Sequence, residues 1–430
     1  IVYLRRKSHT MKLVILGGGF GGLRLAQKLR NKPGFEITLI DRFNYHQFQP
    51  LFYQVATAGL DASNISFPLR KVFHKSRNVR FRMAEVKQIL PSEKKVVTDS
   101  GDFSFDTLVI ATGADTNFFG NRALAENAFP MKSTVEALQL RHRLIHNFED
   151  ALHVTDPLEL QRLMNIVVVG AGPTGVELSG AIADMKRYVL PKDYPELDFS
   201  KMKIYLLEGT GKTLAAMSEI SSKQSRQYLG KLGVTVLTNT LLRDFDGKTV
   251  QLQNGDKIEA SLVIWAAGIK GNVPEGISPE LIARGNRIKV DRYCRVHGYE
   301  DIYAIGDVAY MEELAYPNGH PQVAPVAMQM ADLLVKNFRA VPEKKEFSYY
   351  DKGSMATVGR NLAVVDIPKP KLHFGGFFAW MIWMGLHLMQ ILGVKNRFFV
   401  FSNWLYNYMT YDQNLRLIFK QFYRENKKAG

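Results

Sequence analysis

A chain of 430 residues is too long for one ordinary hydrophobic core, and at roughly 150 residues per domain it should fold as about three packed units. Hydrophobic residues at 46% and charged residues at 23% lie near the average of soluble proteins, which argues against both disorder and a multi-pass membrane protein. The single cysteine, Cys294, excludes an intramolecular disulfide framework, a Cys-x-x-Cys pair and cysteine-built metal centres, and fits a reducing, cytoplasmic setting; the net charge of +15 calls for an anionic partner.

Ile1–Thr10 carries Arg5, Arg6 and Lys7 but lacks the apolar length and cleavage pattern of a signal, so it reads as sequence preceding the fold. Lys12–Leu16 is an aliphatic strand that ends in glycines and leads into a helical pattern over Leu23–Leu29. A second strand, Glu36–Ile40, ends at Asp41. The same device recurs with a strand at Asn165–Val169, a glycine turn at Gly170–Gly175, a helix from Val176 and a strand at Lys203–Leu207 that ends at Glu208. Two further strands run into glycine tripeptides, LVIATG at Leu108–Gly113 and LVIWAAG at Leu262–Gly268. A last strand, Asp301–Ile305, precedes Gly306 and Asp307, and a helix starting near Val326 should pack back on the first fold.

The pattern predicts an α/β protein with two Rossmann-like dinucleotide-binding domains, the second inserted in the first, followed by a C-terminal unit. The boundaries read as 11–125 and 296–345 for the first domain, 126–295 for the second and 346–430 for the C-terminal region.

Gly17, Gly19 and Gly22 have the G-x-G-x-x-G spacing between a strand and a helix. The first glycine makes the turn, the second admits the pyrophosphate and the third lets helix and strand approach. Asp41, nineteen residues beyond Gly22, is placed to bind a ribose hydroxyl. Gly170, Gly172 and Gly175 repeat the spacing, with the hydrophilic insertion Tyr188–Lys201 lengthening the path to Glu208. A carboxylate there binds the adenosine ribose and repels a 2′-phosphate, so NADH is expected over NADPH.

Glu177, two residues past Gly175, has two readings: a helix-dipole partner, or a carboxylate facing the nicotinamide and joining a proton path. GTGKT at Gly209–Thr213 lacks the earlier glycine of a phosphate loop, with Leu206 in its place. His142 and His146 stand at metal-ligand spacing but have no acidic third ligand and are flanked by Arg141 and Arg143, so no metal site is expected.

Together these residues resemble the two-dinucleotide-binding flavoprotein superfamily and, more narrowly, the type II NADH:quinone oxidoreductases. The most specific segments are DRFNYHQFQPLFYQVATAGL (Asp41–Leu60), IYAIGDVA (Ile302–Ala309), AMQMA (Ala327–Ala331), GSMATVGR and AWMIWMGLHL. The resemblance implies that noncovalent FAD is held in the first fold and NADH in the second, with two electrons passing to a membrane quinone without proton pumping. It assigns FAD contacts to Thr57, Val86, Ala111, Thr112, Gly113, Gly306 and Asp307, and it adds Gly268 to the NADH set. Ala327 and Gln329 are implied at the quinone, with Glu177 and Gln329 as catalytic residues. Relatives carry a glutamine pair in an AQ-x-A-x-Q pattern, whereas here Pro325 takes the first glutamine's place. The rival readings are a soluble ferredoxin-type reductase and a basic flavoprotein that acts as a binding partner.

The C-terminus separates these readings. From Lys371 onward eight Lys/Arg stand against two acids among many aromatics, and no nucleic-acid motif accompanies them. Gly375–Val394 is uncharged over twenty residues, but Gly385, His387, Gln390 and Gly393 dilute it, so an interfacial helix is expected instead of a span. Phe401, Trp404, Tyr408, Tyr411, Leu415, Ile418 and Phe422 then recur at helical spacing, and Arg416, Lys420, Arg424, Lys427 and Lys428 supply charge for anionic lipid. Peripheral docking on the cytoplasmic face of a bacterial inner membrane is the expectation, with a homodimer as the alternative use of the same helices.

Overall fold

The computed structural model describes residues 10–339 and 343–418, so apart from Thr10 the reading of the first ten residues lies outside the described residues. Both strand–glycine–helix devices form. β1 (Met11–Leu16) turns into α1 (Phe20–Leu29) and returns as β2 (Phe35–Asp41); α2 (Phe52–Ala56), β3 (Val79–Met83) and β4 (Thr107–Ile110) follow. The second device is β5 (Ile166–Val169), α3 (Pro173–Tyr188) and β6 (Ile204–Leu207), continued by β7 (Val234–Leu237) and β8 (Leu262–Trp265). The chain then makes β9 (Ile302–Ala304) and α4 (Ala324–Arg339). An antiparallel trio, β10 (Ser354–Gly359), β11 (Leu362–Ile367) and β12 (Leu372–Gly375), precedes the helices α5 (Gly376–Gln390) and α6 (Val394–Thr410).

The described residues fall into two units, one drawn from Ile1–Gln47, Ser66–Asn117 and Ile269–Lys352, the other from Phe48–Ile65, Phe118–Gly268 and Gly353–Gly430. In the first, a parallel sheet has the order β9-β4-β1-β2-β3. Its centre is dry, with Leu13, Ile15, Leu16, Ile37, Leu39 and Leu108 wholly buried, as continuous aliphatic strands in a sheet covered on both faces require. Helix α4 packs on α1, where Arg24 grips Asp332 through two hydrogen bonds of 2.8 and 2.6 Å.

In the second unit, Phe129–Pro130 edges a parallel sheet of order β8-β5-β6-β7. The unit boundaries differ from the sequence reading, because 353–418 groups with the second nucleotide fold instead of standing apart. The cause is a close approach: a Cβ on Gly180 of α3 would lie 1.8 Å from the Val358 carbonyl of β10, so only glycine lets this helix and strand touch. A polar clamp adds to it, with Asp366 of β11 accepting from the Ser218 amide at 2.8 Å and from the Ser221 hydroxyl at 2.9 Å.

The two terminal helices invert the usual amphipathic order. Helix α5 buries only Ala379 and Trp383, and α6 only Val400 and Trp404. Along α6 the outward stripe is Val394, Phe398, Phe401, Leu405 and Met409, exposed by 82, 64, 49, 49 and 73%, while Asn407 turns inward to donate to the Gly59 carbonyl. The sequence reading drew one stripe through Phe401, Trp404 and Tyr408; the structure divides it. Phe401 faces out, whereas the Trp404 indole N–H donates to Gln54 Oε1 at 2.7 Å and Tyr408 packs on the Arg360 guanidinium.

Helix α6 ends at Thr410 because Tyr411 takes a left-handed φ of 56°, so Leu415 and Ile418 are not on it and Phe422 lies outside the described residues. Arg416 is engaged by Asp193 and Asp412, which withdraws it from the set of free cations; Lys420, Arg424, Lys427 and Lys428 lie outside the described residues. Among the described residues no helix is long and apolar enough to cross a membrane.

Candidate functional site

Each glycine turn is built for a tight bend and a close ligand. Gly17 has φ 103°, and a Cβ there would sit 2.3 Å from the Ala111 carbonyl; Gly170 has φ 99°, and its Cβ would fall 2.7 Å from the Ala266 carbonyl. A Cβ on Gly22 or Gly175 would strike the carbonyl of Gly17 or Gly170 at 2.0 or 1.9 Å. By contrast Gly19 and Gly172 face open space, and both are helix N-caps with no side-chain hydrogen bond. The first-turn amides of α1 and α3 are therefore left for an anion, as a pyrophosphate needs.

The acids close the same turns. Asp41 accepts from the Gly18 and Phe43 amides at 2.6 and 2.7 Å, and Glu208 from the Ala171 and Thr210 amides, both at 2.7 Å. Burial pushes Asp41 upward against those two amides and the nearby Arg42 charge. Ala111 to Gly113 leave β4 and Gly306 follows β9, at the same carboxyl end of the first sheet as Gly17 and Asp41. Asp307 lies beside Gly306, its carbonyl accepting from Gln322. Val86 starts a small antiparallel strand just past β3, after Ala84 has donated to the Asp41 carbonyl. In the second unit Gly268 leaves β8 at the same sheet end as Gly170 and Glu208. The residues present thus fit a dinucleotide at each turn.

Glu177 does not join its glycine turn. At 100° per residue its side chain is rotated by about 200° from Gly175, and it points into a cavity of about 160 Å³ inside the second unit. Tyr53, Gln54, Thr57, Thr357, Trp383 and Trp404 help to line that cavity. One Glu177 oxygen accepts from the Thr357 amide at 3.3 Å. Burial drives its carboxyl up to about 8, while the Thr357 amide and the neighbouring Trp383 indole pull the other way; that indole N–H makes no well-formed hydrogen bond of its own. A carboxyl at about 8 is mostly protonated at neutral pH and so can donate a proton.

Around it runs a chain of hydrogen bonds. The Trp404 indole donates to Gln54, the Gln54 amide donates to Tyr53 Oη at 2.9 Å, Tyr53 Oη and Thr357 Oγ1 are 3.0 Å apart, and the Thr357 backbone holds Glu177. His387 stacks on Trp383 with ring centroids 4.0 Å apart, and burial takes it down to about 4, so it stays neutral.

The remaining sequence-named residues sit elsewhere. Thr57 is buried at the cavity wall, its hydroxyl donating to the Tyr53 carbonyl at 2.9 Å. Thr112 donates to the Asn272 carbonyl at 2.5 Å. Ala327 is buried against Gly306, whose Cβ would meet Ala327 Cβ at 3.0 Å. Both ends of the Gln329 amide are bound to the Tyr350 backbone at 2.9 Å, which makes it a clasp on that segment. Sequence reasoning did not single out Tyr53, Gln54, Asp184, Thr357, Arg360 or Trp383, and named His387 only as a residue that dilutes an apolar stretch. Their signal was present as polar and aromatic residues inside otherwise apolar segments, but nothing in the spacing joins residue 53 to residue 383.

Residues 11–331 match the pyridine nucleotide-disulphide oxidoreductase family, and residues 351–411 match the NDH2 C-terminal domain. The chain is 34% identical over 421 residues to the type II NADH:quinone oxidoreductase Ndh of Mycobacterium tuberculosis, covering 93% of this chain and 88% of that protein. It is 29% identical to the type II NADH:quinone oxidoreductase of Haemophilus influenzae, over 88% of this chain and 93% of that one. The solved structure of NDH2 from Plasmodium falciparum in complex with NADH superposes with a TM-score of 0.87 at 21% identity, covering 96% of this chain and all of that one, which speaks to the fold. The larger family is named for a disulphide chemistry that one buried cysteine cannot perform, so the C-terminal match carries the narrower placement. The chain belongs to the pyridine nucleotide-disulphide oxidoreductase family and, within it, to the type II NADH:quinone oxidoreductases.

Proposed function

We propose that this chain oxidises NADH through FAD and reduces a quinone whose ring enters the Glu177 cavity. The observation that carries the quinone assignment is a buried carboxyl, held up near 8, in an aromatic-walled cavity of the unit that also bears the outward apolar stripe of α6. Gly17, Gly19, Gly22 and Asp41, with Ala111, Thr112, Gly113, Gly306 and Asp307, form the FAD side; Gly170, Gly172, Gly175, Glu208 and Gly268 form the NADH side. When bound, FAD supplies the two-electron exchange between a hydride donor and a quinone. The protein's part is to fix pyrophosphates on uncapped helix ends, to select the unphosphorylated ribose with Glu208 and to deliver a proton. NADH, H⁺ and quinone give NAD⁺ and quinol, so one proton beyond the hydride must reach a quinone oxygen. Glu177 is the donor, and the aromatic walls exclude bulk water from it.

A long-chain quinone partitions into lipid, and the stripe from Val394 to Met409 is the surface that takes the protein there. The enzyme docks peripherally on the membrane face that meets soluble NADH, the cytoplasmic face in a bacterium, and it needs no proton pumping for this chemistry. Such docking favours the quinone reading over a soluble ferredoxin-type reductase or a binding protein.

The test is Glu177→Gln in the FAD-replete enzyme, followed by stopped-flow spectroscopy. Flavin reduction by NADH should stay within about twofold, while reoxidation by a short-chain quinone should fall by roughly 10² to 10⁴, the usual range for losing a general acid. In the parent, reoxidation should decline as pH rises through about 8, where the raised carboxyl loses its proton. A variant slowed in flavin reduction instead would return Glu177 to the nicotinamide.

A further inference from the structure

Glu177 has no cation beside it to hold it ionised: burial is the main influence on it, and the groups opposing burial are the Thr357 amide and the Trp383 indole. Once it has given its proton away it must be reprotonated before the next turnover. Its own helix offers a route. Glu177, Ala181, Asp184 and Tyr188 recur at steps of four, three and four along α3, and all four line the same cavity. This places two carboxyl groups on one face, two turns apart, at a separation of about 10 Å along the axis for seven residues. That distance is too long for direct transfer. On the helix face between them Ala181 presents only a methyl group, and the cavity of about 160 Å³ has room for several waters at ~30 Å³ each.

We propose that Asp184 reloads Glu177, receiving a proton from solvent at the outer end of the cavity and passing it inward through water lying over Ala181. This rests on the reading of the cavity as the quinone site. The step balances without another reactant. The O–H bond of Asp184 breaks as a water accepts its proton, the water chain delivers a proton to the Glu177 carboxylate, and solvent restores Asp184; no electron moves in the reloading.

The local structure fits the task. Asp184 Oδ2 accepts from the Arg360 amide at 2.9 Å, while Oδ1 makes no hydrogen bond among the described residues and is left for water. The groups around it come from three segments. Arg187 follows on α3 itself. Arg360, just past β10, stacks its guanidinium on the rings of Tyr408 and Tyr411, 4.0 and 3.6 Å from their centroids, and donates to the Tyr408 carbonyl. Beyond α6, Asp412 also lines the cavity and pairs with Arg416, which in turn holds Asp193. Tyr188 and Tyr53 complete the titratable lining.

Burial raises Asp184 to about 6, while the Arg360 amide and the charges of Arg187 and Arg360 restrain it. The inner carboxyl is raised further by burial, to about 8, so Glu177 is the proton's preferred resting place. The transfer inward is downhill.

The test compares Asp184→Asn, Asp184→Glu and Glu177→Gln in the FAD-replete full chain, with NADH and a short-chain quinone. Asparagine keeps an acceptor for the Arg360 amide but carries no transferable proton. Asp184→Asn should reduce flavin and complete a first reoxidation at the parental rates, but turn over about tenfold more slowly in the steady state, with a larger solvent deuterium isotope effect on that turnover. It should also lose the part of the pH profile near 6 while keeping the fall near 8. Asp184→Glu should recover most of the rate, and a small carboxylic acid such as formate should partly rescue the asparagine variant. Steady-state turnover by Asp184→Asn within twofold of the parent with an unchanged pH profile overturns the relay, as does an Asp184→Glu variant no faster than the asparagine one. If Glu177→Gln also reoxidises at the parental rate, the cavity reading has failed; if it is slow while Asp184→Asn turns over at the parental rate, only the relay has.

Discussion

Glu208 and Glu177 lie in the same unit, thirty-one residues apart, and the structure treats them in opposite ways. Glu208 ends a strand, with each oxygen bound to a backbone amide at 2.7 Å, so its negative charge is already compensated and its geometry fixed. Glu177 sits in the first turns of the preceding helix, α3, but faces aromatic walls and accepts one long hydrogen bond of 3.3 Å. The former is a rigid acceptor suited to recognising a ribose; the latter resists ionisation and is suited to giving up a proton. What a carboxylate does is decided by how many donors meet it.

The strongest way to strain this comparison is to separate the proton donor from lipid. Phe398→Glu with Leu405→Glu places two charges on the outward stripe of α6, where neither parent side chain is buried in the fold. Each apolar side chain is worth about 1.5 to 3 kcal/mol on burial, so vesicle binding should weaken by at least ~10²-fold, while NADH oxidation with ferricyanide persists. Flotation with anionic vesicles measures it. Undiminished flotation would give the stripe to a second copy of the chain, and a halved mass in light scattering would then identify it as a dimer interface. Trp404 and Tyr408 are unsuitable for this purpose, because the first holds Gln54 and the second Arg360.

A smaller effect should come from the rigid acceptor. In Glu208→Gln one oxygen can still receive a backbone amide, but the charge that repels a 2′-phosphate is gone. The ratio of kcat/KM for NADH over NADPH should fall about tenfold, near the ~1.4 kcal/mol expected of one screened charge pair at close range. Quinone-driven reoxidation should be untouched. An unchanged nucleotide ratio would mean that Glu208 serves the fold and not the ribose.

These cases show why the sequence told so much of one site and so little of the other. The rules behind Gly17, Gly22, Gly170 and Gly175 are local: a Cβ would collide with a carbonyl only a few residues off or on an adjoining strand, so the spacing itself carries the information. Asp41 and Glu208 are legible for the same reason, as strand ends next to glycine turns. The Glu177 cavity is assembled from residues 53, 177, 184, 357, 383 and 404, and no periodicity joins them. The sequence could show that Glu177 was an acid in a helix, but not which way 200° of rotation would turn it. The terminal helices failed differently. Period alone marks an apolar face, yet α6 has apolar residues on both sides, so Phe401 and Trp404 could not be sorted into outward and inward until the partners Gln54 and Gly59 were placed. The unit boundary likewise depends on contacts distant in sequence: Gly180, whose missing side chain admits β10, and Asp366, which holds Ser218 and Ser221.

The finest probe of the comparison is Tyr53→Phe. The substitution removes one oxygen from a buried chain in which Gln54 donates to Tyr53 and Tyr53 meets Thr357. The ring stays, so the cavity keeps its shape, and neither cofactor turn is touched. A net loss of about 0.5 to 1.5 kcal/mol per hydrogen bond corresponds to roughly two- to tenfold. The effect should appear as a two- to fivefold slower reoxidation by quinone with flavin reduction unchanged, because Thr357 holds Glu177 through its backbone and is only indirectly loosened. The phenol itself is not the proton donor, since burial and the nearby Glu177 push it far above neutrality. The variant should therefore keep the parental pH dependence near 8. A loss as large as that of Glu177→Gln, or a displaced pH profile, would mean that the phenol takes part in proton delivery, and the donor would then be the Tyr53–Glu177 pair in place of the carboxyl alone.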